Sequence, residues 1–268
     1  MKRRASFRQK TIVELAIDDE ASFRHVALYA DLKEVLRRAK YRFRVLPKTA
    51  SVRWDRALFL NLTFWGSRGG GDVLVDEPIA ADVVAHVAWH HLATTAFARD
   101  ASSEAAPSAD ALFLGEAIAS AFDVYLVGRL LGDAPRSSFL ETQVPAMAEA
   151  TTAAGLSAKG FESLLRGIAS DPERAFEDLR QLLVDATSAL VACAGAADAM
   201  AVLVGFEGHR FASLLHRYEL SNWVLYARAY ASRALGPDPH VRAFDRALRK
   251  KRMPLQWLAS EWISPALG

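Results

Sequence analysis

Two segments of the sequence carry ionisable side chains where apolar ones are the rule. The first, residues 78–97 (PIAADVVAHVAWHHLATTAF), is apolar apart from Asp82, His86, His90, His91 and two threonines. Positions 82, 86 and 90 stand four apart, so on an α-helix they fall on one face at successive turns. The second, residues 111–131 (ALFLGEAIASAFDVYLVGRLL), is more apolar still, and its Glu116, Ser120 and Asp123 share a face at i, i+4 and i+7. A carboxylate buried in such a helix is costly unless it is protonated, paired, hydrogen-bonded or bound to a metal. Histidines on a neighbouring helix meet that need. His86 and His90 have the separation at which two imidazoles reach a single ion, and Glu116 from the second helix completes a two-histidine, one-carboxylate set. The competing reading keeps the same side chains but no metal, with the histidines hydrogen-bonded to Glu116 and Asp123.

H-V-A-W-H at 86–90 and G-E-A-I-A-S-A-F-D at 115–123 resemble the gluzincin metallopeptidases, the thermolysin-like division of the zincins. In that family a His-Glu-x-x-His helix gives two zinc ligands and a later helix gives a Glu. The resemblance covers residues 55–132. It implies zinc held by His86, His90 and Glu116, with Asp123 orienting a ligand histidine as an outer carboxylate does. Asp82, Ser120 and His91 then stand behind the ligands. His91 lies about 140° around the helix from His86 and does not share its face.

The family's general base is the Glu after the first ligand histidine, and here that position is Val87. Valine accepts no proton, so the resemblance implies a degenerate metallopeptidase, a pseudoenzyme with a binding or regulatory role. Asp82, Asp123 and Glu77 are the nearby carboxylates from which a displaced base would be drawn. Farther along, in GHRFASLLHRYE, His209 and His216 are seven apart. His216 and Tyr218 are the weak candidates for the oxyanion-stabilising group that thermolysin-like enzymes take from a downstream His or Tyr.

Strand patterns occur only before these helices. YRFRVLP (41–47) and ALFLNLTFW (57–65) read as short strands, and GSRGGG (66–71) links the second to DVLVDEP (72–78) as a hairpin. The glycines lack the Gly-Lys-Ser/Thr of a phosphate loop and the strand-to-helix setting of a dinucleotide fingerprint. A helix is expected around 21–39. From Ile79 the pattern is helical, with breaks at 101–109, 132–135, 155, 205–208 and 236–239. Residues 182–206 read as one core helix rather than a membrane span, because Asp185, Asp198 and many alanines weaken their transfer into lipid. The expectation is an α+β fold, a small N-terminal sheet on a predominantly helical, zincin-like body. It forms one domain over 1–268, with 1–78 the N-terminal helix and sheet, 79–132 the metal-site helices and 133–268 a helical subdomain.

A chain of 268 residues with 51% hydrophobic and 24% charged residues is an ordinary globular composition, which excludes disordered and collagen-like classes. A net charge of +2 is too weak a field to argue for nucleic acid or an anionic membrane. The basic runs RRAKYRFR (37–44) and RALRKKR (246–252) read as solvated faces. Cys193, the single cysteine, forms no intramolecular disulfide and suggests a reducing compartment. The basic start MKRRASFRQK runs into the acids of TIVELAIDDE, so no signal-peptide core follows and a cytoplasmic location is expected. The expected partner is a protein or peptide of unspecified identity. Other readings are a metal-dependent hydrolase with a displaced base and a metal-free helical interaction protein. A non-haem iron oxygenase shares the ligand set but usually sits on a β-barrel, which this pattern does not offer.

Overall fold

The computed structural model describes residues 8–46, 73–74, 77–98, 107–134, 136–230 and 237–268. The expected strand at 57–65 and the glycine turn at 66–71 lie outside them. The fold is α+β, with a few short strands near the N-terminus and a mainly helical body.

Strands β1 (Arg8–Thr11), β3 (Arg42–Val45) and β4 (Val73–Leu74) form one mixed sheet. β1 runs antiparallel to β3, with Arg8 opposite Val45 and Thr11 opposite Arg42, and β4 runs parallel to β3. Of the expected strand at 72–78, only Val73 and Leu74 pair among the described residues. A second, two-stranded sheet joins β2 (Ile17–Asp18) to β5 (Ile79–Ala80) in parallel. This small pair matters for the site, because β5 runs directly into helix α3 (Ala81–Ala96) and fixes where that helix begins.

Two helices precede α3: α1 (Glu20–Phe23) and α2 (Ala27–Arg38). α2 buries Tyr29, Leu32, Val35 and Leu36 and packs against α3. The centre of the molecule is α4 (Ala109–Asp133), started by the Ser108 hydroxyl accepting from the Ala111 N–H. By length and mean hydropathy α4 alone among the described helices could cross a membrane, but 83% of its apolar window is buried inside the protein. It is a core helix. Around it pack α3, α5 (Ser138–Ala153), α6 (Ala158–Ser170) and α7 (Pro172–Leu190), with α7 and α3 covering the largest share. At Gly128 a Cβ would fall 2.7 Å from the Ile168 carbonyl, so glycine permits the crossing of α4 and α6.

α6 and α7 are separated by Asp171-Pro172, where the Asp171 carboxylate accepts from the Arg174 N–H and proline takes the first helical position. The expectation of one core helix over 182–206 is corrected. α7 ends at Leu190, a turn follows, and α8 (Ala196–Val204) starts anew with no residue buried. The break falls at the small residues Ala192, Ala194 and Gly195, which supply little side chain to pack. The chain continues through a 3-10 segment (Ala212–Tyr218), α9 (Leu220–Tyr230) and α10 (Pro239–Leu248). It ends in α11 (Pro254–Leu258), a π-helical turn (Ala259–Ile263) and α12 (Ser264–Leu267).

Candidate metal centre

α3 and α4 lie side by side with their polar faces toward each other. Apolar residues flank those faces: Val84, Ala85, Val87, Ala88 and Trp89 of α3 are fully buried, as are Ala117, Ile118, Ala119 and Phe122 of α4. The helices approach closely because Gly115 faces Ala93, where a Cβ on Gly115 would sit 3.3 Å from the Ala93 Cβ. This glycine, immediately before Glu116, was not singled out from the sequence. An isolated glycine inside an apolar helical pattern is the signal that could have found it.

One potential ligand atom each from His86, His90 and Glu116 lies within 4.8 Å of the others, so the three side chains converge as the spacing implies and could hold a metal ion. His90 Nε2 is 3.4 Å from Glu116 Oε1. His86 Nδ1 is 3.4 Å from Asp123 Oδ2, which leaves the histidine's Nε2 as the nitrogen that would face an ion. The two imidazole rings are 4.9 Å apart. Glu116 is the most deeply buried of the four, with 7% of its side chain exposed, against 14% for His86, 17% for His90 and 29% for Asp123. Asp123 therefore lines the way out.

The electrostatics divide the two histidines. Burial pulls His86 down, but Asp123, Glu116 and Asp82 together outweigh it and hold the imidazole at about 9. His90 is pushed well below its ordinary value by burial and by the neighbouring charge of His86. At neutral pH His90 is neutral, the form that ligates a metal, whereas His86 is protonated and would have to release that proton to an arriving ion. Asp82, one turn before His86, is pushed up to about 6 by burial and then by Asp123.

The remaining sequence candidates fall in different places. Ser120 is buried on α4, on the Glu116 face. His91 turns away from the site, its ring packed 5.4 Å from Tyr41. Trp89 is core, edge-on to Phe122 at 5.5 Å. Glu77 is engaged elsewhere by Arg8 at 3.1 Å and Lys10 at 2.8 Å, which removes it as a base. Tyr218 is half-buried within electrostatic reach of Asp123: burial raises its hydroxyl, the Arg217 charge opposes, and Asp123 raises it further. His216 is exposed and lines a separate groove with Cys193 and Leu220. The two-turn spacing of His209 and His216 does not hold, because residues 212–218 are 3-10 rather than α-helical. His209 instead caps its own loop, its Nδ1 accepting from the Phe211 N–H.

Comparison with protein-family models, with curated proteins and with solved structures finds no match for this chain.

Proposed function

We propose that this chain is a zincin-like metal-binding protein, holding zinc through His86, His90 and Glu116, that has lost ordinary peptidase turnover and acts by binding a protein or peptide. The observation that carries the reading is the convergence of those three side chains from two apolar helices. Zinc bonds of about 2.0–2.2 Å in a tetrahedron put two ligand atoms roughly 3.4 Å apart. The His90–Glu116 separation of 3.4 Å fits that edge and is longer than a good hydrogen bond.

When bound, zinc acidifies a water and polarises a carbonyl. The gluzincin carboxylate takes the proton and returns it to the leaving amine. Val87 has no group to do either, and its side chain is wholly buried in the core. General acid–base help is typically worth about 10²–10⁴ in rate, so hydrolysis without it falls near background. One observation favours a second reading, a hydrolase with a displaced base: Asp82 is a half-buried carboxylate held at about 6, one turn from His86.

Elemental analysis of the purified protein with and without chelator, followed by a peptide-cleavage assay on the unmodified chain, Val87→Glu and Asp82→Asn, separates the readings. The expected outcome is zinc at unit stoichiometry, lost in His90→Ala, with no chelator-sensitive cleavage by the unmodified chain; Val87→Glu gains activity only where it stays folded, because that position is buried in the core. Absence of any chelatable metal would favour the metal-free pairing. Chelator-sensitive cleavage by the unmodified chain, lost in Asp82→Asn, would sink the pseudoenzyme reading in favour of the displaced base.

A further inference from the structure

α8 is an apolar helix (AADAMAVLV) with none of its residues buried. Five large hydrophobic side chains are exposed among the described residues, and three of them, Met200 at 58%, Val204 at 55% and Leu225 at 61%, belong to α8 and the adjacent α9. On α8, Ala197, Met200, Ala201 and Val204 recur at i, i+3, i+4 and i+7 and make a continuous outward ridge. Its other side, through Ala196, Ala199 and Leu203, forms one wall of a groove of about 540 Å³. Leu190, Leu215, Leu220 and Val224 supply most of its other apolar lining, with His216, Glu219, Ser221 and Arg228 among the polar residues beside them. A convex apolar ridge thus lies directly beside a concave apolar groove, and scattered single hydrophobics do not produce that arrangement.

The charges on this face complete the pattern. Asp198, the one acid on α8, is exposed and meets no cation among the described residues. Arg228 of α9, at the groove, donates to the carbonyls of Cys193 at 2.7 Å and Val191 at 3.1 Å and meets no carboxylate among the described residues. Glu219, also lining the groove, is engaged by the Asn222 amide at 2.5 Å. Asp198 and Arg228, neither with an ionic partner among the described residues, therefore flank the same apolar surface, with Glu219 beside them held by an uncharged amide.

We propose that this face is the interface of a homodimer. The α8 ridge of one copy enters the groove of the other about a twofold axis, and Asp198 of each copy meets Arg228 of the other. A twofold contact requires a self-complementary patch, and ridge beside groove with Asp198 and Arg228 as opposite charges supplies it. The patch is a single helix and groove, so the affinity belongs in the micromolar range rather than the range of obligate dimers.

Sedimentation velocity of the full chain across a concentration series tests this. A monomer–dimer equilibrium is expected, weakened at least about tenfold by Met200→Asp or Leu225→Asp. Both positions are exposed, so thermal unfolding measured well below the dimer dissociation constant should not move. Asp198→Arg and Arg228→Asp should each weaken the dimer about threefold to fivefold, and the double variant should recover it. Recovery is the readout that general loss of apolar surface would not produce. A chain that stays monomeric throughout the series, a dimer indifferent to Met200→Asp and Leu225→Asp, or a double variant no better than the single ones would each overturn the proposal.

Discussion

Two groups of ionisable side chains lie inside the helical body, and they are built on different rules. Between α7 and α10, Arg180 is fully buried, with Nε and Nη2 donating to the two oxygens of Glu177 at 2.8 and 2.7 Å and Nη1 to Asp245 at 2.6 Å. Arg249 extends the network to Asp245 and Asp185, both at 2.7 Å. Forked guanidinium–carboxylate pairs at these lengths are complete ionic bonds with their hydrogen-bonding geometry satisfied. Between α3 and α4 the partners of Glu116 and Asp123 include His90 and His86 at 3.4 Å, longer than those contacts by more than half an ångström. Short, forked and matched describes a clamp. Long contacts between histidines and carboxylates around a common point describe a place where an ion fits.

The sharpest way to break that contrast is to remove one member of the clamp. Arg180→Met leaves Glu177 buried with its charge uncompensated, and such a change costs about 3–5 kcal/mol. Urea unfolding should show this loss, and the fraction that remains folded should still take up metal. Arg180→Met combined with Glu177→Leu should recover part of the stability, because replacing both partners by apolar groups removes the orphaned charge. A single variant that unfolds as the unmodified chain does would show that the clamp holds nothing together.

The corresponding change at the other cluster should move affinity more than stability. Asp123→Asn keeps the shape but removes the charge that orients His86, and loss of such an outer partner typically costs about 10–100-fold in metal affinity. Competition against a chelating dye measures it. If Asp123→Asn instead lowered the stability of the metal-free protein as much as Arg180→Met does, the two clusters would be of one kind. A smaller effect is expected from Gly115→Ala. The added methyl meets the Ala93 Cβ at 3.3 Å, so the helices must part by a few tenths of an ångström. Overpacking of that size costs about 1 kcal/mol, and the metal dissociation constant should rise a few-fold because the ligands come from both helices.

The contrast also explains what was legible in the sequence. His86, His90, Glu116 and Asp123 were readable because each pair lies within a single helix, where spacing dictates the shared face, and because the apolar context makes polar residues stand out. The clamp was not. Glu177 and Arg180 also share a helix, but they sit in a segment rich in charge (PERAFEDLRQ), where nothing distinguishes buried ions from solvated ones, and Asp245 joins them from across the fold. The same limit affects α8: hydropathy alone joined it to α7, since composition cannot report which apolar helix finds a core to cover it. The spacing of His209 and His216 was uninformative for a related reason, because seven residues span two turns only in an α-helix and not in a 3-10 segment.

A carboxylate held by neither arginine nor histidine gives the mildest test of the same contrast. Asp19, in a left-handed conformation (φ 59°) that aspartate tolerates, accepts from the Ser22 and Ser137 hydroxyls, both at 2.5 Å, and from the Phe139 N–H at 3.2 Å. It thereby ties the start of α1 to the start of α5. Burial raises its pKa, but these donors outweigh burial and the carboxyl is held below its usual range. A depressed folded-state pKa contributes stability that is present above the unfolded value of about 3.9 and is lost as the pH falls through the folded one. Asp19→Asn should therefore cost about 0.5 kcal/mol near neutrality, and the difference from the unmodified chain should close as the pH drops below about 4. Urea midpoints of the two proteins at neutral and acid pH decide it. A gap of the same size at both would mean that the shape of the side chain, and not its charge, joins the two helices.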